Sequence, residues 1–288
     1  MTDSSPPRLR FVAESGLANR LAAAIAGPII VGSGRIVAAA ATTKSPRLVH
    51  ALERRFGRLA ERLTRIHIDI DGLDRIDRTR RYVVVALHEG LADALALLRL
   101  PLGLRFLARD ELFDWPGLGP YLHATGHPLV ETLPRPGSAR RLYRQIESVF
   151  EHDDNLVVFA QGSILGLEIA FQPGALHIAR RFEHPILPVV LTGSHRVWEH
   201  PYSPTLRLGE RISMRILPPI PPDRLDPATF RDMERSMKRV ALGVDVALPR
   251  HFIPERDGWW DGYRFEIDPD FPELRRTLAV HRSEVGSP

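Results

Sequence analysis

From Tyr82 to Leu87 the chain reads as an unbroken apolar run rich in β-branched residues, and His88 follows at once. Such a run suits a strand buried on both faces of its sheet, where the polar alternation of a half-exposed strand is lost. A helix-forming stretch, residues 91 to 99, comes directly after it. A strand passing into a helix within a few residues commits the chain to a sheet with helices laid on it. It also puts His88 at the carboxyl end of a strand, where open α/β sheets hold their ligands. Asp93 stands five residues on, in the first turn of the helix. From there a carboxylate can fold back to the imidazole, fix its tautomer and stabilise the imidazolium. With no Ser or Cys nucleophile beside it, such a pair suits a general base acting on a substrate hydroxyl or amine.

The rest of the chain repeats the alternation. Strands are expected at 66–70, 104–108, 128–133, 156–159 and 186–191, with a hairpin or bent strand over 206–217 around Gly209-Glu210. A helix should begin at Ser45-Pro46, Ser as N-cap and Pro at the first helical position, and run to Thr64. Leu48, Leu52, Phe56, Leu59, Leu63 and Ile66 form its apolar stripe, with Arg54, Arg58, Arg62 and Arg65 beside it. Further helices are expected from Ser138, as cap, to His152, over 174–182, and from Asp226-Pro227 until Pro249 stops the last of them. The fold class is therefore α/β, a mixed β-sheet covered by helices on both faces, with an N-terminal helical pair. Residues 1–66 form the helical segment, 67–249 the α/β domain, and 250–288 a tail, with Trp259 and Trp260, that packs on it. Residues 1–10 read as disordered.

Composition narrows the partners. There are no cysteines, hence no disulfide, thiolate metal site or thiol nucleophile, and a reducing compartment is expected. A net charge of +4 without interleaved aromatic and basic residues argues against nucleic acid. It suits anionic headgroups or the phosphates of an acyl donor better. No signal-peptide pattern is visible at the start. Residues 11–41 read as one or two Ala-rich helices broken near Gly27-Pro28. Their uncharged stretch, Leu21 to Gly34, is too short to span a bilayer. Packing on the domain and contact with a membrane surface both remain open for it.

Four segments carry a resemblance, in order. These are His88 to Asp93, the stretch Ala108 to Gly119 with its Glu111-Leu112 and Pro116-Gly117-Leu118-Gly119, Val158 to Ser163, and Pro173 through Gly193 with Pro188-Val189-Val190. Together they resemble the motifs of the glycerolipid (1-acylglycerol-3-phosphate or lysophospholipid) acyltransferase family over about residues 45 to 220. The resemblance implies an acyltransferase that moves a fatty acyl chain from acyl-CoA or acyl carrier protein to a lipid or small-molecule acceptor. It implies His88 and Asp93 as the catalytic pair, and Glu89, Gly90, Arg109, Gln161, Gly162, Ser163 and Pro188 at the substrate. It implies no metal and no cofactor beyond the acyl donor. It also implies an N-terminal helical pair on an anionic membrane surface, hence a cytoplasmic protein held peripherally on the inner face.

Departures from the family pattern bear on the acceptor. Gly90 stands where the family has Ser or Thr. Thr132 stands where an arginine usually holds the acceptor phosphate. Gln161 and Ile164 replace a glutamate and a second arginine. A guanidinium fork has no substitute in Thr or Ile. Either Arg105, Arg109 or Arg135 takes the phosphate, or the acceptor carries none. His123 and His127 have metal-ligand spacing only if helical, which Gly126 and Pro128 oppose. Gly162-Ser163 offers backbone donors near a strand end for an oxyanion. A non-catalytic acyl-binding protein and, less favoured, a serine hydrolase stay as alternatives.

Overall fold

The computed structural model describes residues 17–43, 45–162, 170–197 and 206–243. Residues 1–10, Ser163, Ile164, the approach to Pro249 and the expected tail with Trp259 and Trp260 lie outside them. The elements run α1 (Leu17–Ala41), α2 (Pro46–Thr64), β1 (His67–Asp71), β2 (Val83–Ala86), α3 (Ala92–Leu97), β3 (Leu104–Phe106) and β4 (Ala108–Arg109). They continue with α4 (Leu118–Ala124), β5 (Leu129–Val130), α5 (Ser138–Glu151), β6 (Asn155–Phe159), α6 (Gly174–Arg181) and β7 (Ile186–Thr192). Last come α7 (Ser194–Val197), β8 (Arg211–Ile216) and α8 (Pro227–Gly243).

Among the described residues six strands make one sheet in the order β1-β8-β7-β2-β6-β3, and β4 and β5 make a second, small one. β3, β6, β2 and β7 are mutually parallel; β8 runs antiparallel to β7 and parallel to β1. The sheet is mixed, as expected. β2 lies at its centre, and all four of its residues are buried. Alternate side chains face opposite ways. Val83, Val85 and Leu87 join residues of α5, α6 and α8 in one core; Tyr82, Val84 and Ala86 join α3 and the β8 side chains in the other. That double burial is why the run carries no polar alternation.

Several local expectations give way. The Gly27-Pro28 break is absent: α1 is one helix of 25 residues with Pro28 inside it. Its segment Ala24–Ala41 is long and apolar enough to cross a membrane by length and composition, so the uncharged stretch alone understates the helix. The expected strand 104–108 divides into β3 and β4, which join different sheets. The expected hairpin is a single strand, β8, preceded by a turn at Gly209 with φ 78°. Gly137, with φ 83°, caps α5 in place of Ser138. Ser138 Oγ instead accepts from Arg135 N–H at 2.8 Å and donates to Glu131 at 2.6 Å.

The packed face of α2 also differs from its apolar stripe. It buries Val49, Glu53, Gly57 and Thr64, while Leu48, Leu59 and Leu63 are 42, 46 and 51% exposed. A polar network dictates this orientation. Arg105, on β3, places Nη1 3.1 Å from Glu53 and Nε 2.9 Å from Asp154. His50 Nε2 is 2.7 Å from Asp154, and Tyr121 on α4 donates to Glu53 at 2.9 Å. Burial raises the Glu53 pKa above the usual carboxylate value, against the pull of Arg105. Gly57 completes the fit, resting on Leu98 where a Cβ would crowd it.

Candidate active site

The strand order brings β2, β6 and β3 side by side with their carboxyl ends together, and His88 stands at the end of β2. His88 Nδ1 lies 2.8 Å from Asp93 Oδ2. The same oxygen accepts from the backbone N–H of Glu89 at 2.7 Å and of Gly90 at 3.0 Å. The short turn from β2 into α3 makes this possible, because a first-turn carboxylate can cap the N–H groups just before its own helix. A carboxylate only accepts, so Nδ1 carries the imidazole proton and Nε2 keeps its lone pair. Asp93 is wholly buried, while the His88 side chain keeps 16% of its surface. The pair thus has one fixed partner and one nitrogen able to take a proton.

The imidazole is also fixed in plane. Its ring stacks on Phe159, the last residue of β6, with centroids 3.8 Å apart and planes 15° apart. Phe159 stacks in turn on Phe106, the last residue of β3, at 6.4 Å, and Phe106 on His127 at 5.8 Å. Sheet register explains the row. Ala86 pairs with Phe159 and Phe106 with Val157, so the rings project from neighbouring strand ends. The small Ala86 leaves the Phe159 ring room to reach His88.

The other expected substrate residues scatter in role. Glu89 is buried, and its Oε2 accepts from Gly193 N–H at 3.0 Å, tying the His88 turn to the end of β7. Gly90 is buried with its N–H spent on Asp93. Gly162 has φ 69°, and its N–H donates to Phe159 O at 2.9 Å in a tight turn. That donor is occupied by the turn, so it is not the open oxyanion donor the sequence suggests. Ser163 lies outside the described residues. Gln161 is buried. Pro188 is buried inside β7 opposite Val85, below the strand ends rather than at them. Arg109 is on β4, three residues past Phe106, with Nε 3.4 Å from Glu111.

Arg105 is not available to a substrate phosphate, since it is 5% exposed and held by Glu53 and Asp154. Arg135 is on the surface. Thr132 bonds Asp110 through both N–H, at 3.2 Å, and Oγ1, at 2.5 Å. Those bonds hold the Asp110 carboxyl below its usual pKa, the Thr132 hydroxyl most of all. His123 faces Phe113 and His127 faces Phe106 and Tyr121, so the two histidines do not converge. Burial, then Arg105, lowers the His127 pKa well below the ordinary value. Among the described residues no group of three or more His, Asp or Glu could hold a metal ion.

Residues 67–192 match the family model described as Acyltransferase. The chain is 26% identical over 162 residues to a 1-acyl-sn-glycerol-3-phosphate acyltransferase of Limnanthes alba, a match taking in 55% of this chain and 56% of that protein. It is 29% identical over 152 residues to one from Saccharomyces cerevisiae, covering 50% of this chain and 48% of that protein. The chain therefore spans about half the length of these curated relatives. The crystal structure of the 1-acyl-sn-glycerophosphate acyltransferase PlsC from Thermotoga maritima is similar in fold, with TM-score 0.66 and 23% identity over 79% of this chain and 96% of that one.

Proposed function

We propose that this chain moves a fatty acyl chain from an acyl thioester to a hydroxyl or amine of a lipid or small-molecule acceptor, a reading supported by the match of residues 67–192 to the Acyltransferase family model and by the similarity to 1-acyl-sn-glycerol-3-phosphate acyltransferases. The donor is acyl-CoA or an acyl carrier protein. His88 Nε2 takes the acceptor proton as the acceptor oxygen or nitrogen attacks the thioester carbonyl. The tetrahedral intermediate then collapses, the C–S bond breaks, and the thiolate leaves with the proton from the imidazolium. Asp93 holds Nδ1–H throughout and stabilises the positive ring. The step needs neither a metal nor a covalent enzyme intermediate. The observation that carries the reading is the buried Asp93 on His88 Nδ1 at a strand end within the matched segment.

The acceptor, in this reading, is uncharged or zwitterionic rather than a lysophosphatidate. Thr132 is engaged with Asp110, and Arg105 is locked in the core. A buried phosphate without charge-assisted partners forgoes about 1.5–3 kcal/mol for each missing bond. The test is thiol release from palmitoyl-CoA, with lysophosphatidate, monoacylglycerol and lysophosphatidylcholine each added in turn. Release that depends on an uncharged or zwitterionic acceptor supports the reading. Fatty acid release without any acceptor would point to a hydrolase instead. Lysophosphatidate as the best acceptor, with activity lost in Arg109→Ala, would overturn the acceptor assignment and leave acyl transfer standing.

We further propose peripheral contact with the inner face of an anionic membrane. Leu17, Leu21, Ile25 and Ile36 of α1 are exposed, as are Leu48, Leu59 and Leu63 of α2. Beside them Arg58, Arg62 and Arg65 line a surface pocket of about 370 Å³ with Glu61, Ile66 and Arg99. Leucines and arginines together suit a headgroup boundary.

A further inference from the structure

We infer that Phe159 is a positioning residue for His88, resting on the acyl-transfer reading above. A hydrogen bond to Asp93 fixes one edge of the imidazole but leaves the ring able to rock about the Nδ1–Oδ2 line. Rocking swings Nε2 away from the acceptor proton. A ring lying 3.8 Å from the imidazole and within 15° of parallel removes that freedom on one side. The wall is itself backed. Phe106 stacks on Phe159 with planes 22° apart, and His127 on Phe106 with planes 7° apart. Each ring comes from the end of a different strand or from the turn after α4, so the column cannot shift without moving the sheet edge. An aromatic face also attracts a cation, so Phe159 favours the imidazolium formed during transfer. Asp93 therefore sets which nitrogen is available, and Phe159 sets where it points.

The experiment compares wild type with Phe159→Leu, Phe159→Tyr and His88→Gln. Two readouts are taken on the whole chain: kcat and KM for palmitoyl-CoA, and NMR of the histidine rings, with His88→Gln assigning the His88 signals. Wild type should show His88 ring protons moved upfield by the Phe159 ring current. Phe159→Leu should lose that shift and lower kcat about 10–100-fold with KM unchanged, as expected for a small misplacement of a reacting group. Phe159→Tyr should restore both. A Phe159→Leu protein with kcat within about twofold of wild type, against that expected loss, overturns the inference. So does an equal loss of kcat in Phe159→Tyr, or a loss accompanied by unchanged His88 ring signals. If wild type transfers no acyl chain to any acceptor, the functional reading falls. The NMR alone then decides, and a His88 ring with unchanged shifts in Phe159→Leu refutes the positioning role.

Discussion

Asp93 does two jobs through one oxygen, and substitutions separate them. Asp93→Asn can still accept from Glu89 and Gly90 N–H with its amide oxygen, so the turn should hold. Accepting from Nδ1–H through that same oxygen, it lacks the negative charge that stabilises the imidazolium, and kcat should fall about 10–10³-fold in a palmitoyl-CoA assay with little change in thermal melting. Asp93→Ala leaves two buried N–H groups unpaired and should also cost about 1–3 kcal/mol in urea unfolding. The pair is legible in the sequence because its spacing fits a strand-to-helix turn. Phe159 is visible there only as a motif residue. Its contact depends on which strands are neighbours, and the order β2-β6-β3 is not written in any local pattern. The tie from Glu89 to Gly193 is hidden for the same reason, since the two are 104 residues apart.

Packing of α1 on α4 rests on close backbone approach. Gly117 has φ 82°, and a Cβ there would run into the Val31 backbone; a Cβ on Gly34 would strike the Gly117 carbonyl. Gly34→Ala should therefore lever α1 off its seat at a cost of about 1–3 kcal/mol, measured by urea unfolding. The Pro116-Gly117 motif thus serves packing as well as any substrate contact. The buried network under α2 is more sensitive. Arg105→Leu removes the guanidinium that Glu53 and Asp154 share, and unfolding should become easier by about 3–5 kcal/mol. Helix and strand periods locate most elements, whereas the orientation of α2 stays hidden in them. Its apolar stripe outvotes Glu53 by hydropathy, yet Glu53 is buried with Val49, Gly57 and Thr64 while Leu48, Leu59 and Leu63 stay exposed.

Stability of the folded chain should fall on the acid side. Burial lowers the His127 pKa well below the ordinary value, so the unfolded chain binds this proton first. Its contribution is complete above about pH 6.5 and is lost as pH drops below that, by up to about 1.4 kcal/mol per pH unit. His127→Phe keeps the stack on Phe106 and should flatten that slope in urea titrations at several pH values. The proposed membrane contact has its own signature: sedimentation with phosphatidylglycerol vesicles should weaken as salt rises, each surface arginine contributing up to about 1 kcal/mol. Binding that ignores salt and survives alkaline carbonate would instead indicate that α1 is inserted across the bilayer. The α/β architecture is open to reading because buried and half-buried strands carry different patterns; the uncovered faces of α1 and α2, on which the proposed membrane contact rests, emerge only once the helices are packed. The decisive measurement is palmitoyl transfer by His88→Ala against wild type, with thermal melting recorded on both. A loss of about 10²–10⁴-fold in kcat at unchanged melting temperature is expected of a positioned general base. Near-normal turnover in His88→Ala would contradict it.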